Sequence, residues 1–180
     1  MSSPDPTAGL RIDPCGPEDL GFLYALAATV TQRWYRLCRR GLPPPHEFEE
    51  ALWQGVTCQF VTRSPDGTAI AVSSLHDLDL RNGIGWIDVV GDDDLHIDAV
   101  GPTTLHLLDH AFGNWPLRKL YATHLDLQPS PFSAAGVPFD VEARLREFAW
   151  HDGMYWDRVI TAVRRTQWTE HQAASQAGRR

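Results

Sequence analysis

Apolar residues along this chain change their period several times, and each change marks an element. Leu10-Arg11-Ile12-Asp13 alternates and predicts a first strand. Pro17-Glu18-Asp19 then opens a helix with proline and acids in its first turn, and Leu20, Leu23, Tyr24, Leu26 and Ala27 supply its apolar face. The helix runs toward Arg40, with Thr29 a candidate break, and Gly41-Leu42-Pro43-Pro44-Pro45 stops it. His46 to Gly55 reads as a second helix, with Phe48, Leu52 and Trp53 on one side. Thr57 to Arg63 and Thr68 to Leu75 read as strands joined by the turn Ser64-Pro65-Asp66-Gly67.

Gly83 to Phe112 is the stretch around which the rest is arranged. Ile84, Trp86, Ile87, Val89 and Val90 suit a packed strand that Gly91 ends. From Pro102 the period changes, and Leu105, Leu108, Ala111 and Phe112 mark one face of a helix. A strand entering a helix through a tight loop offers free backbone N–H groups to a phosphate. Here the loop contains Asp92, Asp93, Asp94 and Asp98, which repel anions. Beyond it, Leu117 to Asp126 alternates as a fifth long strand. The three prolines between Gln128 and Pro138 forbid a long helix, and Phe139 to Trp150 and Met154 to Arg164 form strands around His151-Asp152-Gly153. Residues 1–8 are expected as a disordered leader, 9–168 as one domain and 169–180 as a flexible tail.

Composition narrows the class. A chain of 180 residues fits one α/β domain. No apolar run approaches the roughly 20 residues of a membrane span, and the first residues lack the pattern of a secretion signal. Cys15, Cys38 and Cys58 are odd in number and lack close pairing, so a reducing, cytoplasmic setting is expected. A net charge of −7 opposes broad nucleic-acid affinity but leaves room for a local patch. Arg33, Arg36, Arg39 and Arg40, interleaved with Trp34 and Tyr35, form such a patch: either a solvated face, or a contact for the phosphates of tRNA. His106 and His110 lie one helical turn apart, a spacing that can chelate metal; the sequence lacks a zincin glutamate there, and no metal is assigned.

The run Val141-Glu142-Ala143-Arg144-Leu145-Arg146-Glu147, followed by Trp150-His151-Asp152-Gly153-Met154-Tyr155-Trp156-Asp157, resembles the C-terminal signature of the GNAT superfamily of N-acetyltransferases, in its ribosomal-protein and antibiotic-modifying branch. Leu10-Arg11 with Pro17-Glu18-Asp19-Leu20, Asp77-Leu78-Asp79 with Arg81-Asn82-Gly83, Leu108 to Phe112 and Arg118 to Tyr121 resemble other pieces of that branch in order and spacing. The resemblance spans residues 10 to 165. It implies an α/β fold: a mixed, mostly antiparallel seven-stranded sheet flanked by helices and splayed between strands 4 and 5.

The resemblance also implies site residues. The donor would lie along Val89, Val90, His96, Ala99, Val100 and Gly101, but the glycines of the family's pyrophosphate motif fall on His96, Asp98 and Val100, its Arg or Gln on Leu95, and its tyrosine acid near Ala134. His124, Asp88 and His76 sit on strands whose ends line the family's cleft, and His124 is the preferred base because neutral imidazole suits pH 7. Trp34, Trp86 and Tyr155 are expected to shape the acceptor pocket. The expected activity is amide formation on a small-molecule or peptide amine, from acyl-CoA or, with the arginine patch holding phosphates, from aminoacyl-tRNA. A non-catalytic binding protein of the same fold, or a conventional acetyl-CoA enzyme with a divergent loop, is the alternative.

Overall fold

In the computed structural model, which describes residues 9–29, 35–38, 41–91 and 97–178, seven strands share one sheet. They are β1 (Arg11–Pro14), β2 (Val56–Arg63), β3 (Ala69–Asp79), β4 (Ile84–Gly91), β5 (Lys119–Leu125), β6 (Asp140–His151) and β7 (Met154–Arg164), in the spatial order β1-β2-β3-β4-β5-β7-β6. Every pairing is antiparallel except β4 with β5, so the expected mixed sheet is present, with its parallel seam between the fourth and fifth strands.

Period-two alternation on β2, β3 and β4 explains the two layers of core. Ile87 and Leu75 face one side, where Leu107, Leu108, Ala111 and Phe112 of α4 (Ile97–Asn114) pack with Leu120 and Val163. Val61, Val72 and Val90 face the other. They meet Leu23 and Leu26 of α1 (Leu20–Thr29), Leu37 of α2 (Tyr35–Cys38) and Phe48 and Leu52 of α3 (Pro45–Trp53). Full burial of each such side chain contributes about 1.5–3 kcal/mol.

The structure differs from the sequence pattern in three places. Pro17–Asp19 is a 3-10 turn rather than the first turn of the α-helix, and α1 is described to Thr29, whose hydroxyl donates to the Leu26 carbonyl at 2.9 Å. α4 begins at Ile97, ahead of Pro102, which therefore sits inside the helix. Its missing N–H leaves only the Asp98 carbonyl without the usual helical bond, close to a terminus where such a loss is tolerable. The stretch expected as a flexible tail is largely α6 (Arg165–Ala177). Two side chains dock it: Trp168 is buried in the α4-side core, and the Arg165 guanidinium donates to the carbonyls of Leu117, Phe112 and Trp115 at 2.6, 2.8 and 2.6 Å. Between Gln128 and Pro138 one turn forms, α5 (Pro131–Ala134), with the Ser130 hydroxyl accepting from Phe132 N–H. Among the described residues no helix is long and apolar enough to cross a membrane.

Candidate active site at the open end of the seam

β4 and β5 pair from Ile84↔Lys119 to Ile87↔Ala122 and no further. β4 stays with β3 through Gly91, while β5 stays with β7 through Leu125, so the strands part. Along Asp88 to Gly91 the β4 edge consequently has no strand partner on that side among the described residues, and such an edge must find other partners for its backbone groups. A narrow cleft of about 80 Å³ opens there, bounded by Val89 and Val90 on β4, Val100 on α4, His124 on β5 and Ala134 on α5. α4 and α5 can close on it because Gly101 has no side chain: a Cβ at that position would lie 2.6 Å from the Ala134 carbonyl oxygen.

On the opposite face, beside Arg36 of α2, a second cavity of about 320 Å³ shares Ile87, Asp88 and Thr123 with the cleft. Asp88 organises its polar end. Its Oδ2 accepts from Arg36 Nε at 3.3 Å and faces His76 Nε2 at 3.5 Å, an ion-pair distance without hydrogen-bond alignment. His76 Nδ1 bonds Asp77 Oδ2 at 2.9 Å. Burial alone would favour the protonated carboxyl of Asp88, but His76 and Arg36 outweigh it and hold Asp88 below the usual carboxylate range. Burial likewise disfavours the His76 imidazolium. The Asp88 and Asp77 carboxylates outweigh that cost and hold His76 above its ordinary value, despite Arg36.

Two strand irregularities shape this cavity. Neighbours on a regular strand point to opposite faces, yet His76 and Asp77 both line it; β3 loses register with β4 between His76 and Asp79, and Asp77 has φ 48°. Leu145 and Phe148, three residues apart, also both line it, because β6 loses register between Leu145 and Ala149 around Glu147 at φ 50°. A left-handed non-glycine residue costs on the order of 1 kcal/mol and collects at functional sites. Among the described residues three occur outside glycine: Asp77 lines this cavity, and Glu147 stands in the β6 irregularity next to Phe148, which does.

His124 occupies the cleft on the α4 side. Its Nδ1 is buried with no hydrogen-bond partner among the described residues. Burial, aided by Arg144 and Arg158 and opposed by Asp126, holds its pKa below the ordinary histidine value, so the ring is neutral at pH 7.

The expected site residues are therefore only partly brought together. His124, Asp88, His76 and Trp86 line one cavity or the other, as do Val89, Val90 and Val100. Ala99 is instead buried against Ile70 and Ala71, and Gly101 packs on Ala134. Tyr155 is 60% exposed on the β6–β7 hairpin against Trp150, away from the cavity. The expected phosphate role of Arg36 is not what its contacts provide. Besides Asp88 it donates to the carbonyls of Ala51 and Leu52 at 3.1 and 3.3 Å, near the C-terminus of α3. Arg33, Trp34, Arg39, Arg40 and His96 lie outside the described residues. His106 and His110 flank the Phe60 ring, each 4.9 Å away, and no group of three His, Cys, Asp or Glu among the described residues is placed to hold a metal. Leu145, Phe148, Arg158 and Ile160, unassigned from the sequence, complete the cavity beside Asp88; the left-handed turn at Glu147 was the missing information.

No protein-family model and no curated protein matches this sequence. Solved structures do match by fold. A spermidine N-acetyltransferase from Vibrio cholerae in complex with CoA and spermine superposes with a TM-score of 0.71 at 16% identity, covering 90% of this chain and 99% of that one. The spermidine/spermine N-acetyltransferase SpeG from Vibrio cholerae in complex with manganese ions gives 0.70 at 16% identity, with 92% and 98% covered.

Proposed function

We propose that this chain, which has the fold of the GNAT N-acetyltransferases, transfers an acyl group from acyl-CoA to the amine of a small molecule. The observation that carries the reading is the parting of β4 and β5 after Ile87 and Ala122, with cavities on both faces that meet at Asp88 and Thr123. The unpartnered β4 edge offers backbone donors and acceptors to the amides of a pantetheine arm laid beside it, in the manner of an added strand. The thioester then sits where the two cavities join, and the amine arrives from the Asp88 side.

Amide formation needs an uncharged amine. Asp88 holds the ammonium, and the neutral His124 imidazole takes its proton. The freed lone pair attacks the thioester carbonyl carbon, the C–S bond breaks, and the second amine proton leaves with the CoA thiolate as thiol. Each step is balanced by amine, thioester and two side chains. CoA is favoured over aminoacyl-tRNA as the donor because Arg36 is already committed within the protein, and because a protein of this fold is solved with CoA. The sequence lacks glycine at 96, 98 and 100, so the grip on the donor pyrophosphate is expected to be weak and the pantetheine arm to supply most of the affinity.

The test is release of free thiol from acetyl-CoA in the presence of primary amines, followed with a thiol reagent, beside calorimetric titration of acetyl-CoA. Amine-dependent thiol release that falls in a folded His124→Ala variant supports the reading. Absence of both binding and release ends it.

A further inference from the structure

We infer that the acceptor is a monoamine carried on an apolar or aromatic body, and that polyamines are disfavoured; the inference rests on the acyltransferase reading only in calling this molecule an acceptor. The cavity of about 320 Å³ is at the small end for ligand pockets, which suits a compact molecule. Among the described residues its charged groups are Arg36, Arg158 and His76 against Asp77 and Asp88, so it carries no excess of carboxylates. Asp88, beside the seam, already faces Arg36 and His76. Asp77 is tied to His76, with its side chain 67% exposed at the rim. One ammonium can share Asp88. Among the described lining residues a second would meet Arg36 or Arg158, with only the rim carboxylate of Asp77 to offset them, and each like-charge approach weakens binding by about fivefold even at the dielectric of water.

The remaining wall is apolar. Trp86 is held by stacking on Tyr121 with ring centres 4.9 Å apart, Ile160 faces it from β7, and the β6 irregularity adds Leu145 and Phe148. Arg158 lies over the Phe148 ring at 5.0 Å, so a guanidinium backs the apolar wall where a polyamine would need a carboxylate. Burying a hydrocarbon body here is favourable, whereas burying a second ammonium without a partner is not.

The experiment is calorimetric titration of the full chain with 2-phenylethylamine and with spermine at one ionic strength, beside acyl transfer from acetyl-CoA to each. We expect 2-phenylethylamine to bind at least about tenfold more tightly than spermine. Leu145→Glu sets a carboxylate opposite Arg158 on the exposed β6 strand and should narrow that ratio by at least about threefold. Spermine binding as tight or tighter overturns the inference. So does a ratio unchanged in a Leu145→Glu protein that melts as the parent does, and so does failure of both amines to bind. If the binding ratio holds but no acyl transfer occurs, the amine class stands and the acyltransferase reading falls.

Discussion

At one end of the β4–β5 seam the two strands are paired and braced by their neighbours; at the other they part. The Gly83 carbonyl accepts from both Arg118 and Lys119 N–H at 2.7 and 3.2 Å, Trp86 stacks on Tyr121, and Arg165 ties three carbonyls of the α4–β5 connection. Five residues beyond Gly83, Asp88 has lost its strand partner on the β5 side and accepts from Arg36 at the edge of a cavity. The closed end spends its polar groups on the fold, whereas Asp88 at the open end faces a cavity. Stability and activity should therefore separate along a single pair of strands.

The largest expected effect breaks the closed end. Arg165→Ala removes three hydrogen bonds from a charged donor and should cost about 3 kcal/mol in urea unfolding, with kcat per folded molecule near that of the parent. Asp88→Asn acts at the open end: kcat/KM should fall by about 100-fold, with a smaller loss of stability from the weakened Arg36 contact. His124→Gln should lower kcat/KM by about 30-fold. In the parent, His124 is held below the ordinary histidine value of 6.5, so activity should rise with pH through a midpoint below 6.5, and this limb should vanish in the variant.

A smaller effect concerns His76, whose folded pKa is raised. Its ion pairs stabilise the fold fully below the ordinary value of 6.5 and lapse as pH rises through the folded value. Melting temperature should fall modestly as pH rises from 6 through that value toward 8.5, less so in His76→Gln. The smallest effect sharpens the donor side. Acetyl-pantetheine should support turnover with kcat/KM within about tenfold of acetyl-CoA, since the nucleotide end lacks a glycine cradle in the sequence.

The strands and their order of appearance were legible from periodicity, and the mixed sheet that parts between the fourth and fifth strands followed from the resemblance carried by the β6–β7 hairpin; that those two strands pair in parallel comes from the structure. Three further features were not legible, for separate physical reasons. Pro102 looked like a first helical residue because proline favours that place, yet α4 starts at Ile97 and tolerates one lost bond. The polar run after Thr169 gave little sign of burial, since α6 is held by Trp168 and Arg165, which precede it. The acceptor cavity depends on Asp77 and Glu147 adopting left-handed backbone, which turns His76, Asp77, Leu145 and Phe148 to one place. Alternation assigns those side chains to different faces, and only the register shows otherwise. His76 and Asp88 could be named as candidates, but the contact of Asp88 with Arg36 joins residues 52 positions apart and needs the fold.

The most direct test of the central claim is hydrogen exchange of the β4 backbone amides with and without saturating acetyl-CoA. Protection is predicted to increase within Asp88 to Gly91, on the edge that β5 leaves, and to stay unchanged within Ile84 to Ile87, where β5 is already paired. Unaltered exchange across Asp88 to Gly91 at saturation would contradict the assignment of the open seam as the acyl-donor site.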